Sequence, residues 1–249
     1  MQGNILIYIL IGFAAQMIDG SLGMAYGVSG RTFLRTFAGL PTALSSALIH
    51  IAEIPSSLVS GISHYRIDNV DKSLLLRLIV PGAIGGVLGA WLVTEAGSKL
   101  ENAIDIYLIL MGLIILRRAV SSRDKKRRIG SAIYPLGFAG GLLDAVGGGG
   151  WGPVVTSSMI ASGEDVKRSI GTVNAAEFIV TIAETTTFAV MMRDLGSYGL
   201  MIGGLIIGGV IAAPIAARVC KRLPEKPLMV IVGLLIIALN IYNLLAKQI

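Results

Sequence analysis

Four carboxylates stand within, or at the edges of, otherwise apolar sequence: Asp19, Glu53, Asp144 and Glu177. Ionisable groups at membrane depth are rare and face a cavity, a partner or an ion path. As chemistry, a desolvated carboxyl can take up and release protons near neutral pH. As structure, it can accept bonds from the orphan N–H groups of an interrupted helix. The two aspartates flank such interruptions and read as structural or site-supporting. Glu53 and Glu177, with His50, read as gating or proton-coupling groups.

The interruption is plainest at Asp144-Ala-Val-Gly147-Gly148-Gly149-Gly150-Trp151-Gly152-Pro153. Each glycine inside a helix costs about 1 kcal/mol relative to alanine. Non-helical backbone at membrane depth is tolerated only where protein or a cavity covers it. Pro153 suits the first turn of a new helix. A helix start with unpaired N–H groups and a positive dipole end is an anion site needing no basic side chain. The first-half counterpart is Asp19-Gly20-Ser21-Leu22-Gly23-Met24-Ala25-Tyr26-Gly27. Close packing of small residues would also place glycines here.

Hydroxyls and amides lead into the glutamates: Ser45, Ser46, His50 and Glu53 in one half, Ser169, Thr172, Asn174 and Glu177 in the other. His50 and Glu53 share a helix face at i, i+3, and Ser46 joins them at i−4. Such a stripe can bond an oxyanion or relay a proton. A lone His–Glu pair lacks the three or four ligands of a metal site, so no metal is assigned. Pro55 is expected to kink this helix. Arg31 is either a basic anchor for an anion or the counter-ion of Asp19. Arg35 is expected to snorkel outward, and His64 reads as interfacial. The expected anion-binding set is therefore Ser21, Gly23, Arg31, Ser46, Gly148, Gly149, Gly150, Thr172 and Asn174.

These residues require a membrane scaffold. The chain has 249 residues, 54% of them hydrophobic and 14% charged, with a mean hydropathy of +0.77. An ordinary soluble domain carries about 25% charged residues. Apolar runs cover 5–18, 42–63, 73–94, 103–116, 132–146, 169–192, 198–217 and 228–246. Several approach the roughly 20 residues that span a hydrocarbon core; 5–18 and 132–146 read as partial spans. The net charge of +6 sits in short loops, a topology signal that argues against nucleic acid as partner. One cysteine, Cys220, excludes an internal disulfide framework. No GxxxxGK[ST] motif occurs, and no cofactor is implied.

The sequence repeats. Residues 12–27 laid on 137–152 match at six of sixteen positions, including Asp19/Asp144 and Gly23/Gly148. Average composition would give about one or two. With one residue deleted in the following loop, Ser45 meets Ser169, His50 meets Asn174 and Glu53 meets Glu177. Lys and Arg at 117–128 and 218–226, with Arg66, Lys72 and Arg77, mark cytoplasmic loops. The expected fold is an all-α polytopic protein of the inner membrane with its N-terminus outside. Two inverted repeats (1–120 and 130–249, joined by a basic linker at 121–129) each hold a broken or re-entrant helix pair plus three transmembrane helices. Inverted repeats place substrate near the midplane, where the halves meet.

The duplicated layout, the Gly147–Gly150 run before Trp151-Gly152-Pro153, and Ile170-Gly171-Thr172 before Asn174 resemble the sulfite exporter TauE/SafE family. The resemblance covers essentially the whole chain. It implies export of a small sulfur-containing anion (sulfite, sulfoacetate or a related organosulfonate) by a non-enzymatic transporter whose partners are that anion and the bilayer. A homo-oligomer is compatible with it. Two other readings stay open: a cation or metal permease using the same acidic groups, and an intramembrane enzyme or assembly factor built on Ser46, His50 and Glu53.

Overall fold

Apolar backbone without water must bond to itself, so helices are the expected outcome. The computed structural model describes residues 4–23, 26–120, 129–192, 194–219 and 225–246, and among these every regular element is helical. The order is α1 (Ile5–Leu22), α2 (Tyr26–Ala38), α3 (Thr42–Arg66), α4 (Lys72–Val120), α5 (Ile133–Gly147), α6 (Ser157–Ala161), α7 (Val166–Met191), α8 (Gly199–Val219) and α9 (Glu225–Ala246). A π-helical stretch, Gly152–Thr156, leads into α6. Of the linker expected at 121–129, only Ile129 is described, and Cys220, Lys221 and Arg222 also lie outside the described residues.

Among the described residues, four segments are long and apolar enough to cross a membrane: Ile5–Leu22, Thr42–Arg66, Lys72–Gly97 and Leu195–Val219. α1 is thus long enough to cross by itself, where the sequence suggested a partial span. The two runs at 73–94 and 103–116 are continuous in α4, with no unwound loop between them. That helix is nevertheless not straight. Gly89 abuts Leu142, and Tyr107 abuts Gly147, five residues further along α5. Eighteen residues of straight helix would separate Gly89 from Tyr107 by about 27 Å, and five residues of α5 cover only about 8 Å. α4 therefore bends between them, and Gly97-Ser98 is the kind of small-residue step where helices bend.

The two halves interlock. α1 lies on α8, and α5 lies on the first part of α4, so each broken helix packs against the other half. Small residues make both contacts. A Cβ on Gly208 would fall 2.0 Å from the Ile9 carbonyl oxygen, and one on Gly85 would fall 2.0 Å from that of Phe138. Gly85-x-x-x-Gly89 and Gly204-x-x-x-Gly208 are thus backbone-to-backbone seams. α3 and α7 pack on each other at the centre. They carry the glutamates and bring them to the breaks.

Candidate functional site

Both interruptions are real. Gly23 ends α1 at φ 65°, ψ 37°, and Gly148 ends α5 at φ 65°, ψ 23°, the left-handed cap conformation that glycine adopts without strain. Their N–H groups bond back to the carbonyls of Asp19 and Asp144 respectively. The same two aspartates cap the helices that follow. Asp144 Oδ1 accepts from Gly150 N–H (2.7 Å) and Trp151 N–H (3.0 Å). Asp19 accepts from Tyr26 N–H. Each positive helix start is therefore occupied by the chain's own carboxylate.

The carbonyl ends of the breaks are bound by the opposite half. Arg31 on α2 donates from Nη1 to the Gly147 carbonyl at 2.8 Å. Thr156, its repeat counterpart, donates to the Gly23 carbonyl at 2.5 Å. A cation suits the negative end of α5. A Cβ on Gly149 would lie 2.0 Å from Val28 N, so the second break rests directly on the start of α2.

Between the breaks lies a sealed acidic cluster. Asp19, Glu53, Asp144 and Glu177 are all under 5% exposed, and Glu184 and His50 are wholly buried. The Asp19 and Glu177 carboxyls approach each other, and a hydrogen bond between them needs one shared proton. His50 Nδ1 lies 3.1 Å from Glu53 Oε2 and 3.2 Å from Glu184 Oε2. The Phe188 ring stacks on His50 at 5.9 Å and 12°. Asp144 joins this group, with ligand-capable atoms of His50, Glu53 and Asp144 within 4.8 Å of one another. These supply ligands that the His–Glu pair alone lacked.

In repeat register His50 corresponds to Asn174, and Glu184 to Ser60. His50 faces Glu184 across the α3–α7 contact, while Ser60 and Asn174 Oδ1 lie 2.6 Å apart. One arrangement is ionic and its counterpart neutral. That substitution explains why Glu184 escaped the sequence reading. It has no acidic counterpart, although it stands seven residues after Glu177 on the same helical face.

Other expected site residues are placed as follows. Ser21 bonds its own helix at Met17 (2.6 Å), and Ser46 bonds the Ala145 carbonyl (2.7 Å). Thr172 accepts from Asp71 N–H in the α3–α4 connection at 2.8 Å, and Asn174 donates to the Ile170 carbonyl at 3.1 Å. Gln16, absent from the expected set, is 1% exposed and its amide nitrogen has no hydrogen-bond partner among the described residues. Two expectations are corrected. Arg35 does not snorkel; it is buried in an ion pair with Asp105 of α4, near enough to desolvate both. His64, in the last turn of α3, faces into the protein and not outward. It is wholly buried, donating from Nε2 to the Gly20 carbonyl at 3.0 Å, with Asn69 Nδ2 against its other nitrogen.

The profile of the sulfite exporter TauE/SafE family matches residues 8–243. The chain belongs to this family. A relative from Bacillus subtilis (strain 168), named probable membrane transporter protein YtnM, is 35% identical over 254 residues, covering 99% of this chain and 84% of that protein. No solved structure matches significantly. This TauE/SafE protein is thus a multi-pass membrane transporter, and the crossing of its two breaks is the candidate site.

Proposed function

We propose that this protein is a secondary transporter that exports a small sulfur-containing anion, such as sulfite, sulfoacetate or a related organosulfonate, with one accompanying proton. The observation that carries this reading is the Asp19 carboxylate, seated on the start of α2 and hydrogen-bonded to Glu177. An oxyanion and a carboxylate cannot share the same N–H. When the Asp19–Glu177 pair takes up a second proton, Asp19 loses its charge and its claim on the helix start. A sulfonate or sulfite oxygen then takes the Tyr26 N–H, with the Gln16 amide as a second donor and Arg31 about one and a half turns along the helix. Departure of the anion lets the carboxylate return and releases the proton.

In this reading the two halves are inverted repeats with residues 1–120 and 130–249 as their domains. The basic loops lie in the cytoplasm and the N-terminus outside the inner membrane. The sealed state corresponds to the occluded point of alternating access, and His50 and Glu53 serve in its gate. The class of substrate is supported by the family description, and transport by the relative's name.

Proteoliposome efflux tests it. With a labelled monoanionic organosulfonate inside, efflux is expected to speed several-fold when the lumen is more acidic than the bath, because anion and proton leave together. An imposed membrane potential should change it little, because no net charge moves. Asp19→Asn and Glu177→Gln should each abolish the acceleration. Efflux that follows potential and ignores pH would refute the coupling. Equal indifference to sulfite and organosulfonates would refute the substrate class.

A further inference from the structure

We infer that His50, Glu53, Asp144 and Glu184 form a binding site for one divalent first-row transition metal ion, which ties α3, α5 and α7 together across the two halves. His50 Nδ1 has two carboxylate oxygens at 3.1 and 3.2 Å, one from each half. A ring nitrogen carries at most one proton and can satisfy one of them by donation. Neither oxygen of Glu184 has a hydrogen-bond donor among the described residues, and Asp144 Oδ2 has none either. Both side chains are over nine-tenths buried, and Glu184 is aimed at the same nitrogen as Glu53. Carboxylates so placed lack a shared cation rather than a shared proton donor.

The spacing suits an ion. Ligand bonds of about 2.1 Å in a tetrahedral shell place neighbouring ligand atoms about 3.4 Å apart. The two separations at Nδ1 are slightly shorter; the ligand atoms of His50, Glu53 and Asp144 lie within 4.8 Å of one another, and Glu184 joins them through its 3.2 Å approach to Nδ1. One imidazole and three carboxylates favour Mn²⁺, Fe²⁺ or Zn²⁺ over Ca²⁺ and Mg²⁺, which take oxygen alone, and over Cu⁺, which takes sulfur. Phe188 stacked on the imidazole holds the ring plane. Gly86 leaves the room Glu184 needs: a Cβ there would stand 2.6–2.7 Å from its Cγ and Oε1.

This site shares His50 and Glu53 with the gate of the proposed transport cycle, but metal binding can fail or succeed separately from anion binding because its ligands exclude the Asp19–Glu177 pair. A filled site would hold the halves together, so metal is expected to slow transport. The direct test is binding: detergent-purified protein stripped with EDTA, then equilibrium dialysis against Mn²⁺ or Zn²⁺ with the bound metal counted. We expect one ion per chain, and at least 10-fold weaker binding in Glu184→Gln. Gly86→Ala removes no ligand but displaces the Glu184 carboxylate, and should also weaken binding. Glu177→Gln should change it less than 3-fold. Wild-type protein that takes up less than a tenth of an ion per chain at 100 µM metal would overturn the inference. So would uptake untouched by Glu184→Gln and Gly86→Ala, or a loss as large in Glu177→Gln as in Glu184→Gln.

Discussion

Asp144→Ala and Asp144→Asn separate the capping role of this aspartate from its charge. Oδ1 accepts two backbone N–H groups at the start of the second half-helix, from Gly150 at 2.7 Å and Trp151 at 3.0 Å. Both residues are buried. Alanine leaves two buried donors unsatisfied, each costing about 1–3 kcal/mol, so about 2–6 kcal/mol in total. Asparagine keeps an acceptor oxygen in the same place and loses only the charge-assisted part, about 1 kcal/mol. It also relieves repulsion from the neighbouring Glu53 carboxylate, which offsets part of that loss. For a chain of this size 1 kcal/mol moves the unfolding midpoint by roughly 2–4 °C. The expected drop is therefore roughly 4–24 °C for alanine and only a few degrees for asparagine. Heating detergent-purified protein and measuring the monodisperse fraction by size-exclusion chromatography gives these midpoints. Equal losses in the two variants would show that charge, not capping, holds the break, and no loss in either would show that the break is held by packing alone.

Three further sets of substitutions probe other contacts. Arg35→Ala removes the guanidinium paired with the wholly buried Asp105 and should cost about 3–5 kcal/mol, while the double variant Arg35→Met/Asp105→Leu should recover most of it, as read by the same melting assay. His64→Leu removes the donor to Gly20 and should cost about 1–3 kcal/mol, whereas Asn69→Ala should cost less, because it removes only the longer 3.3 Å contact. Gly148→Ala adds a side chain at φ 65° and 2.2 Å from Arg31 Cδ, and Gly39→Ala adds one at φ 64° with open space around it; the first should lower the midpoint clearly more than the second.

The helical membrane class was legible from the apolar runs, because lipid leaves the backbone no alternative. The two breaks were legible because glycine runs and their aspartates recur in register, and their left-handed caps at Gly23 and Gly148 are near copies. What the sequence hid depends on contacts across the halves. Arg31 reaches a carbonyl 116 residues away, and Arg35 pairs with an aspartate 70 residues away, distances at which no local pattern speaks. Glu184 was hidden by its neutral counterpart Ser60, since symmetry drew attention to carboxylates that come in repeat-related pairs. The bend in α4 was half legible: the apolar runs at 73–94 and 103–116 are separate in the sequence, yet helical bonding runs through the stretch between them. The hydroxyls expected to meet an anion at Ser21, Ser46 and Thr172 are instead engaged with backbone groups, the two serines as donors and Thr172 as acceptor.

The central claim is that an anion takes the place of Asp19 at the start of α2. An electron cryo-microscopy structure at acidic pH with a saturating organosulfonate tests it most directly. The account predicts density for the sulfonate beside Tyr26 N–H and the Gln16 amide, with the Asp19 side chain turned away from Tyr26. A sulfonate bound elsewhere, with Asp19 still on Tyr26 N–H, would contradict it.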